Sequence, residues 1–354
     1  MNRFQRIILA FILPILISAT GLRAGVKNIG TPRVKNYTNS EIQAGTQTWM
    51  VDTGPDGLVY FANNDGLLEF DAFNWRKYPL PGRTVVRSVK TTGDGRIYVG
   101  GHNEFGFFSA NSSGQLIFEG LHTLLPNSKR DFGEVWRIHE TPSGMVFQTF
   151  TQLMIYHEDT LQVIDAPDMF HFSYKIGDDV YINDQSQGLY VLKQNKLEKL
   201  KGAERLAGQL IWAILPKGQD LLIATADAGI YVYHNQRLLE WKNPTAALLK
   251  KLQVFCGIDM NPGTYAFGTI QDGLVICDTG GRLIQHINID KGLQNSTVLS
   301  IQKDTGGNLW LGLDNGIDYI ETNSPLSYFG TFQNLSSGYT AVVYNGRLYL
   351  GTNR

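Results

Sequence analysis

The sequence lacks an excess of charge of either sign. Its 354 residues carry 31 basic and 32 acidic side chains, which gives a formal net charge of −1 at pH 7. Proteins that hold nucleic acid or an anionic membrane by charge need a basic surface, because each contact neutralises a phosphate. The composition therefore predicts no direct nucleic acid binding by this region.

Cysteine is scarce, with only Cys256 and Cys277 in the chain. No CxxC pair is present, which excludes the common zinc and thioredoxin-like motifs. In the repeat described below, the two cysteines fall on the first and third strands of one unit and would lie roughly 10 Å apart. A disulfide needs Cα atoms about 5.5 Å apart, so both cysteines are predicted to be buried free thiols.

Histidine motifs for metal binding are also missing. The seven histidines stand apart, with no His-x-His or His-Glu-x-x-His spacing, so the sequence predicts no metal site. The glycine-rich turns lack the strand–helix context of a phosphate-binding loop. No catalytic residue and no cofactor are predicted. One alternative stays open, namely that the fold brings His102 and His171 together as a pair around its axis.

Long apolar segments are missing after the N-terminus. Residues 7–19 form an apolar run broken only by Pro14 and preceded by Arg3 and Arg6. That run is shorter than the roughly 20 residues that span a bilayer, and it is typical of a secretory signal. Residues 1–24 are therefore predicted to be a signal peptide and the mature chain to be exported, with an uncleaved anchor as the alternative.

What the chain does have is a repeat, clearest at residues 298–320. Three short runs rich in branched and aromatic residues are split by turns at 304–308 and 314–316. Such runs predict antiparallel strands, and Asn315-Gly316 supplies the positive φ angles of a tight hairpin. Similar units precede it at residues 48–70, 86–108, 136–156, 172–192, 211–233 and 254–277.

Glycines in the second turn of each unit set the period. Where consecutive units keep this glycine the spacing is 40 to 44 residues, whereas the third unit has Thr151-Gln152 instead. A fourth, outer strand is predicted after most units. This period predicts an all-β protein, a β-propeller of seven four-stranded blades over residues 33–335. A β-sandwich and an eight-bladed ring that uses residues 340–350 are the alternatives.

Such a ring must also be closed, because an open strand edge invites pairing with other chains. Residues 33–37 are predicted to pair beside residues 317–320 and complete the seventh blade. Residues 336–354 are predicted to begin a truncated further repeat or a second propeller. They would form a leftover C-terminal hairpin with its turn at Asn345-Gly346.

The candidate binding residues follow from strand order. In an up-and-down blade, the loop that enters the first strand and the turn between strands two and three lie on the same face. Amide, carboxylate and aromatic groups on that face suit a neutral sugar, which needs directional hydrogen bonds and a stacking surface. Trp310 is predicted to pack between blades, and the same packing is the alternative for Trp136 and Trp212. Solvated turns are the alternative for the polar groups. The predicted ligand-binding residues are Asn64, His102, Asn103, Glu104, Arg130, Asp131, Trp136, Gln185, Gln187, Trp212, Asp227, Gln271, Asp272 and Asn315.

The run NLWLGLDNGI at residues 308–317 resembles the repeat of two-component-regulator propellers. Residues 58–67 and 96–100 are similar to it. The resemblance implies the periplasmic sensor half of hybrid two-component or helix-turn-helix regulators, which often control glycan use. In that family two seven-bladed propellers precede a three-tyrosine domain, a membrane helix and a cytoplasmic output domain.

This resemblance implies a non-catalytic, ligand-sensing propeller of a signalling or transcription regulator. Its partners would be a small-molecule or oligosaccharide ligand and, in full-length relatives, a second propeller and output domains; a homodimer stays open. The sequence contains no such further domain, so the chain is expected to be a fragment or a truncated product. The alternatives are a propeller-fold enzyme, such as a lyase or quinoprotein dehydrogenase, and a protein-interaction scaffold.

Overall fold

The computed structural model describes residues 26–261, 263–329, 335 and 338–352, and the predicted signal segment lies outside them. Seven four-stranded antiparallel sheets make up the fold, followed by a separate two-stranded sheet. The innermost strands of neighbouring sheets contact one another all the way round, so the sheets are the blades of a closed ring. The predicted seven-bladed β-propeller is confirmed. Within the described residues, no helix is long and apolar enough to cross a membrane.

The strands follow the predicted order in every blade, from the channel outward. One strand, β1 (Val34–Tyr37), precedes the first complete blade. The first three blades are β2 (Thr48–Thr53), β3 (Val59–Asn63), β4 (Gly66–Phe70), β5 (Trp75–Tyr78); β6 (Val86–Thr91), β7 (Ile97–Gly101), β8 (Phe105–Ala110), β9 (Leu116–Gly120); and β10 (Arg137–Thr141), β11 (Gly144–Gln148), β12 (Gln152–His157), β13 (Thr160–Asp165).

The remaining blades have the same plan, and the last one is completed by β1. They are β14 (Phe170–Ile176), β15 (Asp179–Asp184), β16 (Gly188–Lys193), β17 (Lys196–Lys199); β18 (Ile211–Lys217), β19 (Asp220–Thr225), β20 (Ile230–His234), β21 (Arg237–Glu240); β22 (Val254–Asn261), β23 (Thr264–Thr269), β24 (Leu274–Asp278), β25 (Leu283–Ile287); and β26 (Val298–Lys303), β27 (Leu309–Leu313), β28 (Ile317–Ile320).

Helices are confined to the connections between blades. The longer one, α2 (Pro244–Leu252), follows the short α1 (Asn39–Ile42) in the chain. The side chain of Asn243 caps α2 by accepting a hydrogen bond from the backbone N–H of Ala246 at 2.9 Å. Single 3-10 turns lie at Pro81–Arg83, His122–Leu124, Asn127–Lys129, Glu204–Leu206 and Ile289–Lys291.

The N-terminal strand closes the ring as predicted. β1 pairs antiparallel with β28, with Val34 opposite Ile320 and Tyr37 opposite Ile317. The carboxylate of buried Asp318 accepts hydrogen bonds from the Asn36 side chain at 2.7 Å and from the backbone and side chain of Gln294 at 3.0 and 2.8 Å. Closure therefore joins the chain start, blade seven and the loop before blade seven in one polar cluster.

The core lies between the blades, where the middle strands of adjacent sheets face each other. Trp310 is buried in such an interface and packs against Tyr37 at 5.6 Å and Phe61 at 5.5 Å between ring centres. Its predicted packing role is confirmed. The C-terminal strands β29 (Gly338–Tyr344) and β30 (Arg347–Thr352) pair with each other in a two-stranded sheet, which is the predicted leftover hairpin.

Both cysteines are free, as predicted, but they do not share the same burial. Cys277 is fully buried in β24, whereas Cys256 on β22 is half-buried because it faces the central channel. The prediction of two buried thiols was therefore wrong for Cys256. Burial nonetheless raises the pKa of each thiol to about 12, so neither is a thiolate at neutral pH.

Candidate functional site: the mouth of the central channel

The innermost strands share a local irregularity at their first residues. Six of the seven begin with a β-bulge, where the pairing with the second strand shifts by one residue. A bulge re-aims side chains and is frequent beside binding sites. The residues inserted at these bulges are Trp49, Arg87, His171 with Phe172, Trp212, Phe255 and Leu299.

The bulged residues and their neighbours form a continuous aromatic belt. Its members are Trp49, Trp136, Phe150, His171, Phe172, Trp212 and Phe255, each in ring contact with the next. All of them except Phe150 lie at or just before the start of an innermost strand. Phe150 lies in the turn of the third blade that lacks the repeat glycine, so the irregular repeat contributes to the belt.

The rings of the belt cover part of one another. Trp136 is stacked on Phe150 with ring centres 5.4 Å apart, and Trp212 is stacked on Phe255 at 4.6 Å. One face of each indole is thus already occupied by a neighbouring ring. A ligand can therefore use only the side of each indole that its neighbour leaves free, because the covered face is not accessible to a sugar ring.

Two arginines pack on the belt, and their surroundings differ. The Arg87 guanidinium lies 4.2 Å from the ring centre of Trp49 and 5.1 Å from that of Trp136, with the Glu134 carboxylate 3.4 Å away. The Arg137 guanidinium lies 3.9 Å from the Phe172 ring centre. Both contacts are cation–π interactions, but only Arg87 also has a carboxylate beside it.

Below the belt, a cavity of about 510 Å³ runs along the ring axis and is lined by the innermost strands of all seven blades. Trp49 and Trp212 line its end at the strand starts, while Gly177 lies at the opposite end, where β14 turns into β15. A cavity of this size is in the usual range for small-molecule sites, which is roughly 300–1,000 Å³. It can hold a monosaccharide or a short oligosaccharide.

Two histidines at the channel are held neutral. His139 lies with its Nε2 atom 2.9 Å from the Ser173 hydroxyl, and His171 donates through Nδ1 to the Ile211 carbonyl at 3.1 Å. Burial lowers the pKa of His139 to about 3 and of His171 to about 4, and the positive charge of Arg137 adds to both shifts. Groups with such low pKa values are weak bases at pH 7.

The turns between second and third strands lie beside the loops that enter the first strands, so both are on the same face, as strand order predicts. Asn64 accepts a hydrogen bond from the Trp49 indole at 2.8 Å and holds that ring at the channel mouth. Trp212 lines the cavity, while Trp136 links Trp49 to the rest of the belt. Of the predicted residues, these three are the ones that the structure brings to the belt.

Several predicted residues instead hold the loops of this face together. Asn103 accepts hydrogen bonds from the backbone of Phe132 and Gly133 at 2.9 and 2.7 Å, and its amide donates to Asp131 at 3.1 Å. Arg130 donates to the carbonyls of Leu125 and Thr123. Since these polar groups are already satisfied, replacing Asn103 would disturb the loop, and it is a poor probe of ligand binding.

The other predicted residues are spread around the rim, outside the belt. Buried Glu104 is 2.6 Å from His122, and exposed His102 is 3.6 Å from Glu134. His102 and His171 therefore have different partners. The rest are half-buried or exposed turn residues that bond within their own region: Gln185 to Phe170, Gln187 to Ser186, Gln271 to Gln253, Asp272 to Asn288 and His286, and Asn315 to Asn39, while Asp227 is exposed.

Sequence reasoning left seven residues of this site out of the predicted binding residues: Trp49, Arg87, Arg137, Phe150, His171, Phe172 and Phe255. A signal was present, because most units place a large residue immediately before a small one at the start of the first strand. Examples are Trp212-Ala213, Phe255-Cys256 and Leu299-Ser300. Within the described part of the chain, no group of three or more His, Cys, Asp or Glu is placed to hold a metal ion.

Comparisons with known proteins show the fold. No family model matches the chain, and neither does any curated protein. The extracellular domain of a protein assigned as a hybrid two-component system of B. thetaiotaomicron superposes with a TM-score of 0.65 at 17% identity, over 82% of this chain and 39% of that one. A second such domain from B. thetaiotaomicron gives 0.61 at 15% identity, over 91% and 47%. The chain thus spans less than half the length of these extracellular domains.

Enzymes share the architecture as well. Virginiamycin B lyase from Staphylococcus aureus superposes with a TM-score of 0.64 at 13% identity, over 81% of this chain and 98% of the lyase. The propeller is common to both classes of protein. The extracellular domains of the two-component systems share the propeller fold that the repeat resemblance implies. Fold alone does not choose between sensing and catalysis.

Proposed function

We propose that this chain is a non-catalytic, ligand-sensing propeller of a signalling or transcription regulator, acting in the periplasm. The observation that carries the proposal is the aromatic belt. Its rings come from separate blades and lie around the mouth of the axial cavity. A set of rings and amides around a cavity suits a sugar.

The channel histidines favour binding over catalysis. His139 and His171 are each engaged with a neighbouring oxygen, and their low pKa values make them weak general bases at neutral pH. The fold shared with virginiamycin B lyase keeps an enzyme as the alternative. A sensor and an enzyme differ in one measurable respect, since only the enzyme changes what it binds.

The proposal is tested by a thermal-shift screen against a panel of neutral and acidic sugars. At least one sugar is expected to raise the melting temperature, because a ligand of the native state stabilises it. Trp212→Ala should remove that shift, and Phe73→Ala, at a ring that is 89% exposed, should retain it. A panel without a stabilising sugar, or full retention by Trp212→Ala, would contradict the proposal. Chemical conversion of the bound sugar would establish the enzyme alternative.

A further inference from the structure

Unlike Arg87, which lies beside Glu134, the guanidinium of Arg137 at the channel mouth has no ion-pair partner among the described residues. Its single hydrogen bond to protein runs from Nη1 to the carbonyl of the preceding residue, Trp136, at 2.8 Å. The side chain lines the axial cavity, and among the described residues no carboxylate forms an ion pair with it. No other hydrogen bond from this guanidinium to a described residue is present, so N–H groups of Arg137 are left for a ligand in the cavity.

The nearby acidic groups are engaged elsewhere. Of the carboxylates that line the cavity, Asp52 is 2.8 Å from Lys90 and also accepts from the backbone of Thr91 at 2.7 Å. The electrostatic neighbour of Asp259 is Lys303. At the rim, Glu134 is beside Arg87. The wall formed by blades two to four consequently carries an uncompensated positive charge.

An unpaired cation in such a place is costly. Moving a charged group from water into a partly buried site raises its free energy, unless a group of opposite charge lies beside it. The face of Phe172 recovers a part of this cost, because a ring face attracts a cation. An arginine can also hold a carboxylate or sulfate in a two-pronged hydrogen-bonded pair, which an ammonium group does not match.

We propose that the ligand of this channel is an anionic sugar whose carboxylate or sulfate pairs with Arg137. The sugar ring then lies against the exposed side of the belt at Trp49 and Trp212, which line the same end of the cavity. This inference rests on the proposed sensing function and narrows it. It replaces the neutral sugar expected from the turn residues with an acidic one.

The test uses pairs of probes that differ in the charged group alone. Binding of glucuronate and glucose to the protein is measured by calorimetry, with glucose 6-sulfate to separate a carboxylate from a sulfate. Benzoate and benzyl alcohol form a second pair that contains no sugar. We expect the acid of each pair to bind at least 10-fold more tightly than its neutral partner, which corresponds to about 1.4 kcal/mol.

Arg137→Met should abolish this preference, since methionine fills similar space beside Phe172 without a charge. The matched control is Arg96→Met, because Arg96 also packs on a ring, that of Phe107 at 4.5 Å, but lies outside the axial cavity. This control should keep the preference. Circular dichroism and the melting temperature report whether each variant folds, and Arg137→Lys, which retains charge, provides a second variant.

The outcomes separate this inference from the proposed function. If glucose binds as tightly as glucuronate, or if the preference survives Arg137→Met, the anion site is refuted while sugar sensing stands. If benzoate binds in an Arg137-dependent manner and no sugar of either kind binds, the anion site stands, but the proposal that its ligand is a sugar is refuted. If none of the five probes binds to the wild-type protein, the anion site is refuted as well.

Discussion

At the scale of single residues, the channel depends on groups whose charge state is set by burial rather than by sequence. His139 lies on β10 between Ile138 and Glu140, and nothing in that local sequence marks it as neutral. Its ring is enclosed in the channel wall and lies close to the Arg137 charge, and both effects disfavour protonation. The same reasoning applies to His171 on β14. These features arise from the convergence of separate blades, which sequence spacing does not reveal.

Neutral His139 makes stability depend on pH. The unfolded chain binds a proton at the ordinary histidine pKa of about 6.5, whereas the folded state binds it only near pH 3. Because the folded pKa is lowered, stability is lost as the pH falls below about 6.5, by about 1.4 kcal/mol per pH unit for one group. Urea unfolding of wild type and His139→Gln between pH 7 and pH 5 measures this slope.

Glutamine can keep a hydrogen bond to Ser173 but cannot take up the proton. The free energy of unfolding of His139→Gln should therefore fall less steeply with acidification than that of the wild-type protein. The comparison of slopes is independent of any constant loss of stability that the substitution causes. Equal slopes for the two proteins would show that His139 is protonated in the folded state at these pH values.

At the scale of elements, the sequence predicted the blades well and the bulges not at all. Glycine-bearing turns and runs of branched residues are local properties, so the period, the strand order and the closing strand could be read from them. A bulge depends on how two strands pair, and Trp212 or Phe255 looks like an ordinary strand residue when read alone. The aromatic belt lies on the face that strand order predicted for binding, and binding there stays a prediction. Its arginines and five of its seven rings were not among the predicted residues.

Close approach between blades explains one glycine that is not part of a turn. Gly312 lies in the middle of β27, and a Cβ atom there would overlap the Ser300 side chain and the backbone carbonyl of Thr48 in the neighbouring blade. A backbone atom cannot move aside as a flexible side chain does. Gly100 and Gly268 occupy the same position in their blades and are crowded by Val135 and Val298 respectively.

Gly312→Ala is expected to lower the free energy of unfolding by about 1–3 kcal/mol, because the added methyl group forces the blades apart. Gly93→Ala is the matched control, since no atom lies within 4 Å of a Cβ at Gly93, and it should be neutral or slightly stabilising. Chemical denaturation of the two variants beside wild type measures the difference. A Gly312→Ala protein as stable as Gly93→Ala would mean that the blade interface has room to relax.

At the scale of the whole molecule, stability depends on joining the first and last blades of the seven-blade array into a ring. Each blade packs on its neighbours, and the seventh blade takes its outer strand from the chain start, so β1 holds the ring shut. A propeller whose closing strand detaches would expose the edge of β28 and the apolar surface around Trp310. The Asp318 cluster lies at the centre of this seam and joins β1, β28 and the loop before β26.

Asp318→Ala should weaken closure more than the loss of one exposed carboxylate would. The substitution leaves the backbone N–H of Gln294 without its acceptor, and an unsatisfied buried donor costs about 1–3 kcal/mol. The side chains of Asn36 and Gln294 keep carbonyl acceptors but lose their bonds to the carboxylate. We expect the free energy of unfolding to fall by about 1–3 kcal/mol. Asp227→Ala, at an exposed turn of blade five, should change it by less than about 0.5 kcal/mol.

Hydrogen exchange tests whether this loss acts on closure itself. In Asp318→Ala, the backbone amides of β1 and β28 should exchange faster than in wild type, while those of β11 and β12, on the far side of the ring, should change less. That pattern follows because local opening of the seam requires only β1 to detach. A uniform increase over all seven blades would indicate that the ring opens only when the whole propeller unfolds, and the seam would then not be its weakest point.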